Sequence, residues 1–132
     1  MEWLPTDQRK PGRVDGFVIR AGQIYAVGEV KRRYLSRDAF SRRFNDEYLI
    51  SANKIWDGRS CAKLTGSPFY IFVVLDDVLI AFKVCDDRGN LVCPLKIENR
   101  QTQRCVNGGL KQDEVCVIKI PQKNFYDTSN TR

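Results

Sequence analysis

The sequence predicts one α/β domain over residues 1–132, in which a mixed β-sheet carries one main helix. Three observations predict this fold. Two apolar runs, RVDGFVIR and IYAVGEVK, are joined by a short glycine-containing turn and favour a β-hairpin. A helical stretch follows over residues 45–64, where Asn45 can cap the first turn and Gly66-Ser67-Pro68 ends the helix. Further apolar runs then supply more strands: FYIFVVL, expected to be buried on both faces, VLIAFKV, LVCPLKI and EVCVIKI.

The predicted hairpin brings acidic and basic side chains onto one face of the sheet. Its strands are residues 13–20 and 24–32, and side chains alternate between the two faces along a strand. One face of the first strand therefore holds Asp15, and one face of the second holds Tyr25, Val27, Glu29 and Lys31.

The register of the hairpin decides whether the two acids meet. If residues 21–23 form a three-residue loop, Arg20 pairs with Ile24 and Asp15 lies opposite Glu29, with side chains about 5 Å apart. A two-residue loop without a bulge would instead pair Asp15 with Gly28 and send the acids to opposite faces.

Two carboxylates at this distance repel each other unless a cation neutralises them. A hard divalent ion with oxygen ligands and retained water suits such a pair, and it can polarise a phosphate and acidify a water molecule. The ammonium group of Lys31 could position that water or stabilise a pentavalent phosphate. The alternative is an ordinary Glu–Lys pair at a strand end, with Asp15 as an acid beside a turn.

The composition excludes several classes of enzyme. The chain has no histidine, which removes Ser-His and Cys-His catalysis, histidine-metal nucleases and most zinc enzymes. Its five cysteines include no C-x-x-C pair, so reduced thiols are expected. The pairs Cys93–Cys105 and Cys85–Cys116 are those that oxidation could join. With no apolar run of transmembrane length and no signal peptide, a cytoplasmic protein is expected.

Basic residues exceed acidic ones by 22 to 16, which gives a net charge of +6. The excess is concentrated on both sides of the hairpin and would attract a phosphate backbone. A solvated basic loop is the alternative. The candidate nucleic-acid-binding residues are Arg9, Lys10, Arg13, Arg32, Arg33, Arg37, Arg42 and Arg43.

The Asp-led strand followed by Glu29-Val30-Lys31 resembles the PD-(D/E)xK nuclease superfamily, which includes restriction endonucleases, Holliday-junction resolvases and VRR-type nucleases. The resemblance covers most of residues 5–84, and the tail GGLKQDEVCVIKIPQKNF is similar to the C-terminal strands of small phage-encoded members. It implies a restriction-endonuclease-like sheet with extra C-terminal strands. It also implies Asp15, Glu29 and the Val30 carbonyl as metal ligands, with Lys31 as a catalytic residue. Lys54, on the predicted helix, would lie near the phosphate, or it is a solvated surface lysine.

The chain departs from the superfamily at its N-terminus. The first core helix of the family is short or absent, because residues 1–12 form a short, proline-containing arm that we expect to be irregular. Glu2, or Glu47 on the predicted helix, could replace the acid that this helix often contributes. A partner subunit could also supply the helix.

The sequence thus predicts a Mg²⁺- or Mn²⁺-dependent endonuclease acting on DNA, with selectivity for junctions, flaps or nicks as one form of it. The alternative is a catalytically inactive nucleic-acid-binding module on the same fold. Junction resolution would require a homodimer. A phage-encoded enzyme would work in the host cytoplasm.

Overall fold

The computed structural model describes residues 1–6, 14–104 and 110–128. Within these residues two sheets and two α-helices form the structure. The larger sheet has the strand order β1-β2-β3-β5-β6-β9, and the smaller has the order β4-β8-β7. The elements are β1 (Glu2–Pro5), β2 (Gly16–Arg20), β3 (Gln23–Arg32), α1 (Arg37–Phe44), β4 (Glu47–Ser51), α2 (Ala52–Thr65), β5 (Phe69–Val74), β6 (Val78–Cys85), β7 (Lys96–Arg104), β8 (Leu110–Lys119) and β9 (Phe125–Asp127).

The larger sheet is mixed, as predicted. Strands β3 and β5 run parallel at its centre, and the other neighbouring strands pair antiparallel. A parallel pair needs a long crossover connection, which here consists of α1, β4 and α2. The crossover brings α2 over the face of the sheet that carries Val27 and Glu29.

The hairpin loop has two residues, so the predicted three-residue loop is wrong. Ala21 and Gly22 have φ values of 52° and 75°, the left-handed pair that a tight hairpin turn requires. Arg20 consequently pairs with Gln23 rather than with Ile24. A β-bulge then leaves Tyr25 without a partner and restores the predicted register, since Val18 pairs with Ala26 and Gly16 with Gly28.

The bulge also changes the side on which Tyr25 lies. Tyr25 was predicted to share a face with Val27, but it lines a cavity with Ala26 on the opposite side of the sheet. After the bulge the predicted alternation of β3 holds, and Val27 and Glu29 lie on the face that α2 covers.

The main core lies between α2 and one face of the larger sheet. Phe69, Ile71 and Val73 of β5 are buried there, together with Ile55 of α2. Gly58 of α2 packs so closely on Phe69 that an added Cβ would lie 2.2 Å from its ring. The intervening residues of β5 are only half-buried on the other face, so the prediction that FYIFVVL is buried on both faces is wrong.

The predicted helix over residues 45–64 is wrong in its first part. Asn45 ends α1 with a φ of 54° instead of starting a helix, and residues 47–51 form β4. Tyr48 and Ile50 are the buried positions of this strand, which pairs with β8. Helix α2 begins only at Ala52 and ends at Gly66, as predicted, with a φ of 64°.

The N-terminal arm contains strand β1, where an irregular segment was expected. Trp3 of this strand lies over Gly16 and Gly28, and a Cβ at Gly28 would be 2.9 Å from its ring. Trp3 also meets the Phe72 ring edge-on at 6.4 Å. In residues 1–6 and 14–15 no helix precedes β2.

The C-terminal strands differ from the prediction in their boundaries. Strand β7 begins at Lys96, so most of LVCPLKI precedes it, and β8 begins at Leu110, before the run EVCVIKI. Cys61, Cys85, Cys93 and Cys116 form no disulfide bond with one another, and Cys105 lies outside the described residues. Neither described helix combines the length and apolar character that a membrane span requires.

Candidate active site

Asp15 and Glu29 meet at the end of the β2–β3 hairpin, as the register predicts. Asp15 lies one residue before β2, and its amide donates a 3.1 Å hydrogen bond to the Gly28 carbonyl. Oδ2 of Asp15 accepts a 2.8 Å hydrogen bond from the Val30 amide. These backbone contacts hold the Asp15 carboxylate beside the strand that carries Glu29.

Glu29 is a buried acid, with only 8% of its surface exposed. Burial raises its pKa to about 7, and the charge of Asp15 together with a hydrogen bond between the two carboxyl groups acts in the same direction. Glu29 is therefore partly protonated near neutral pH when no cation is bound. A cation placed beside the two acids would lower this pKa, because its charge opposes the effects of burial and of Asp15.

Lys54 of α2 provides one positive charge at this point. Its Nζ lies 3.5 Å from Oε1 of Glu29, and its side chain is 43% exposed. Lys54 lowers the pKa of Glu29, against the larger effect of burial. Lys54 therefore lies within the site and keeps access to solvent. It is not a surface lysine remote from the two acids.

The two acids open onto a cavity of about 330 Å³ between the hairpin and β4. Lys31 and Arg33 line it from β3 and the residue that follows this strand, and Lys54 lines it from α2. The complete lining consists of Asp15, Glu29, Val30, Lys31, Arg33, Tyr48, Leu49, Ile50, Ser51 and Lys54.

Tyr48 lines the cavity and was not predicted from the sequence, like its neighbours Leu49, Ile50 and Ser51. Burial raises the pKa of its phenol to about 12, and the charges of Arg33, Glu29 and Asp15 reach it. The alternation in EYLIS is the signal that could have found it, because a strand over these residues points Tyr48 and Ile50 to the same side.

The other predicted basic residues are spread over several places. Arg32 forms a 3.0 Å ion pair with Asp76 and lies 4.4 Å from the ring centroid of Tyr34. Arg37 lies 4.5 Å from the ring centroid of Phe125. Arg42 and Arg43 are in the last turn of α1, and Arg9, Lys10 and Arg13 fall outside the described residues.

The two acids considered as substitutes for the family's helix acid do not line the cavity. Glu2 pairs with Ile19 at the far end of β2, and Glu47 points to a neighbouring cavity with Phe40 and Phe44. Within the described part of the chain, no group of three acidic, histidine or cysteine side chains could enclose a metal ion. Any ion at Asp15 and Glu29 would complete its shell with backbone oxygen, water or substrate, which is the usual habit of Mg²⁺.

Comparison of the chain with known protein families gives a match. The family model described as "Phage putative PDDEXK endonuclease" matches residues 7–128. No curated protein and no solved structure is significantly similar to the chain. The mixed sheet with α2 on one face is a restriction-endonuclease-like fold.

Proposed function

The chain belongs to the phage family of PD-(D/E)xK endonucleases, and from this premise we propose that it is a metal-dependent nuclease that hydrolyses phosphodiester bonds of DNA. The observation that carries the proposal is the contact of Asp15, just before β2, with Glu29 of β3, with Lys31 and Lys54 lining the same cavity. Two acids and two amines at one opening can hold a cation and an anionic phosphate together.

The acids suit Mg²⁺ or Mn²⁺. Both carboxylates offer oxygen ligands, and the charge of Asp15 opposes the ionisation of the buried Glu29 beside it, which a cation would relieve. Val30 also lines the cavity, and its carbonyl is the proposed third protein ligand. When bound, the ion would polarise the phosphate and lower the pKa of the attacking water.

The protein's own groups orient the reactants. The Val30 amide fixes one oxygen of Asp15 and leaves the other for the ion. Lys31 is proposed to position the water or to stabilise charge on the pentavalent phosphate, and Lys54 to bind a non-bridging phosphate oxygen. Arg33 lines the cavity beside them and adds positive charge where the DNA backbone would enter.

DNA is the proposed substrate because the net charge of +6 favours a polyanion. The remaining arginines of the predicted set are proposed to contact DNA outside the cavity. A phage nuclease would meet DNA in the host cytoplasm. Selectivity for junctions, flaps or nicks is a further part of this proposal, and a panel of substrates decides it.

The test is cleavage of labelled duplex, single-stranded, nicked, flap and four-way-junction DNA in Mg²⁺, Mn²⁺ or EDTA. Lys31→Ala is expected to abolish cutting, while Lys63→Ala, which removes an exposed lysine of α2, should leave it unchanged. Metal-dependent cutting by the wild type that Lys31→Ala does not reduce would remove Lys31 from the mechanism. Binding of DNA without cutting in any metal would overturn the nuclease proposal and favour an inactive nucleic-acid-binding module.

A further inference from the structure

The face of the larger sheet opposite α2 is open and rich in aromatic side chains. A trough of about 460 Å³ crosses it, lined by residues from β2, β3, β5, β6 and β9. Small side chains, Val18, Ala26 and Ala81, form part of its floor. Five aromatic residues line the trough, of which Phe82 is buried; we call the other four the aromatic face: Tyr25, Tyr70, Phe72 and Tyr126.

These rings are available for stacking. Tyr25 is 46% exposed and Tyr126 is 50% exposed, although both are large side chains with apolar ring faces. Tyr70 and Phe72 stack on each other, with centroids 6.0 Å apart and an angle of 13° between the rings. Exposed rings in such numbers on one face usually mark a binding surface.

The charges at the aromatic face are positive. The Nζ of Lys83 lies 5.9 Å from the Tyr70 centroid, and the guanidinium of Arg20 lies 5.8 Å from the Tyr25 centroid. Of the described residues that line the trough, none is acidic. The face therefore offers flat π-surfaces together with cations, which is the combination that binds bases and phosphates of single strands.

We propose that the aromatic face binds an unpaired stretch of the nucleic-acid substrate by stacking its bases. This extends the proposed function and rests on it for the choice of a nucleic acid as ligand. A second copy of the chain fits the face less well, because each copy carries a net charge of +6 and would bring its own Arg20 and Lys83 to the contact.

The length of the trough suits several nucleotides. The two half-exposed tyrosines lie at opposite ends of the paired strands. Tyr25 precedes the first residue of β3 that pairs with β5, whereas Tyr126 pairs with Leu79, which itself pairs with the last residue of β5. The three strand steps from β3 to β9 alone span roughly 15 Å. Glu29 is on the other side of the sheet. A substrate bound to both surfaces would therefore have its scissile segment at Glu29 and an unpaired tail on the aromatic face.

The test measures binding of a fluorescent 15-nucleotide oligothymidine by anisotropy in EDTA, where no cleavage occurs. Three proteins are compared: the wild type, Tyr25→Phe/Tyr126→Phe, which keeps both rings, and Tyr25→Leu/Tyr126→Leu, which keeps apolar bulk without a π-surface. We expect the Phe pair to bind as the wild type does and the Leu pair to bind at least about tenfold more weakly. Ultraviolet crosslinking of the wild type should attach the oligonucleotide to peptides containing Tyr25 or Tyr126.

Equal binding by the Leu pair and the wild type overturns the proposal, provided that both are folded by circular dichroism. A wild-type dimer that the Leu pair converts to monomers in sedimentation velocity also overturns it, because the face would then join two copies. Lys31→Ala separates the two proposals. If it abolishes cutting but binds the oligonucleotide normally, the aromatic face acts independently of the catalytic site, as proposed. If the protein cuts no substrate but shows the ring dependence, only the nuclease proposal fails.

Discussion

The amide of Val30 donates a 2.8 Å hydrogen bond to Oδ2 of Asp15, across the two strands that carry the proposed metal ligands. The bond ties the orientation of one acid to the backbone of the residue that follows the other acid, Glu29. A shift of either strand would therefore disturb both acids together. The geometry of the pair depends on strand register more than on the freedom of either side chain.

The metal-free protein should lose stability as the pH rises from about 4.5 to about 7. Glu29 has a folded-state pKa of about 7 against 4.5 ordinarily, so the folded state binds the proton more tightly. Its favourable contribution is complete below pH 4.5 and is lost as the pH passes 7. Urea unfolding in EDTA at pH 5 and pH 8 measures the change.

Glu29→Gln is the matched variant for this measurement, because it keeps the shape and cannot ionise. The difference between wild type and variant should grow toward pH 8, where the wild type carries the buried charge. Mg²⁺ should then stabilise the wild type at pH 8 and leave the variant nearly unchanged. An identical pH dependence of stability for both proteins would show that Glu29 is not the source of the change.

Replacing Lys54 by methionine should weaken DNA binding and shift the pH profile of cleavage upward. The variant loses a charged contact to phosphate, for which we expect a rise in KM of about tenfold or more. It also loses the charge that lowers the pKa of Glu29, so ionisation of Glu29 requires a higher pH. Lys54→Arg should retain most of both properties, and steady-state kinetics between pH 6 and 9 compares them.

Deleting Tyr25 should leave cutting of duplex DNA near that of the wild type. The deletion removes the unpaired residue of the bulge, and Val18 can still pair with Ala26, so Asp15 stays opposite Glu29. Tyr25→Ala, which keeps the residue count, is the matched control. Steady-state cleavage compares the two variants, and a loss of about hundredfold in kcat for the deletion alone would contradict this expectation.

Gly58→Ala should destabilise the fold. An added Cβ would lie 2.2 Å from the Phe69 ring, and such overpacking costs about 1–3 kcal/mol. The gain in helix propensity from alanine, about 1 kcal/mol, offsets part of this. Chemical denaturation measures the difference, and Gly58→Ala/Phe69→Leu should recover stability if the ring is the obstacle.

The acid pair could be predicted from sequence because it depends on local pairing. Asp15 and Glu29 lie 14 positions apart on one hairpin, and alternation along the strands nearly determines their faces. The correct contact nevertheless formed by a different route, through a two-residue turn and a bulge at Tyr25 instead of a longer loop. Local sequence patterns predicted that the two acids meet, whereas the type of turn was visible only in the structure.

The parts that sequence reasoning missed depend on contacts between distant segments. EYLIS looked helical because Asn45 and two acids precede an apolar run, but pairing with β8 makes it a strand. That error hid Tyr48. The contact of Lys54 with Glu29 was equally out of reach, since the crossover that carries α2 over the sheet sets it.

The contact of Trp3 with Gly28 has a consequence for the evolution of the family. A Cβ at Gly28 would lie 2.9 Å from the Trp3 ring and 3.2 Å from the Phe72 ring, so position 28 has room for a side chain only if the ring at position 3 is smaller. Positions 3 and 28 should therefore change together among homologous sequences, although 25 positions separate them. Their covariation would identify relatives that keep the N-terminal strand packed against the β2–β3 hairpin.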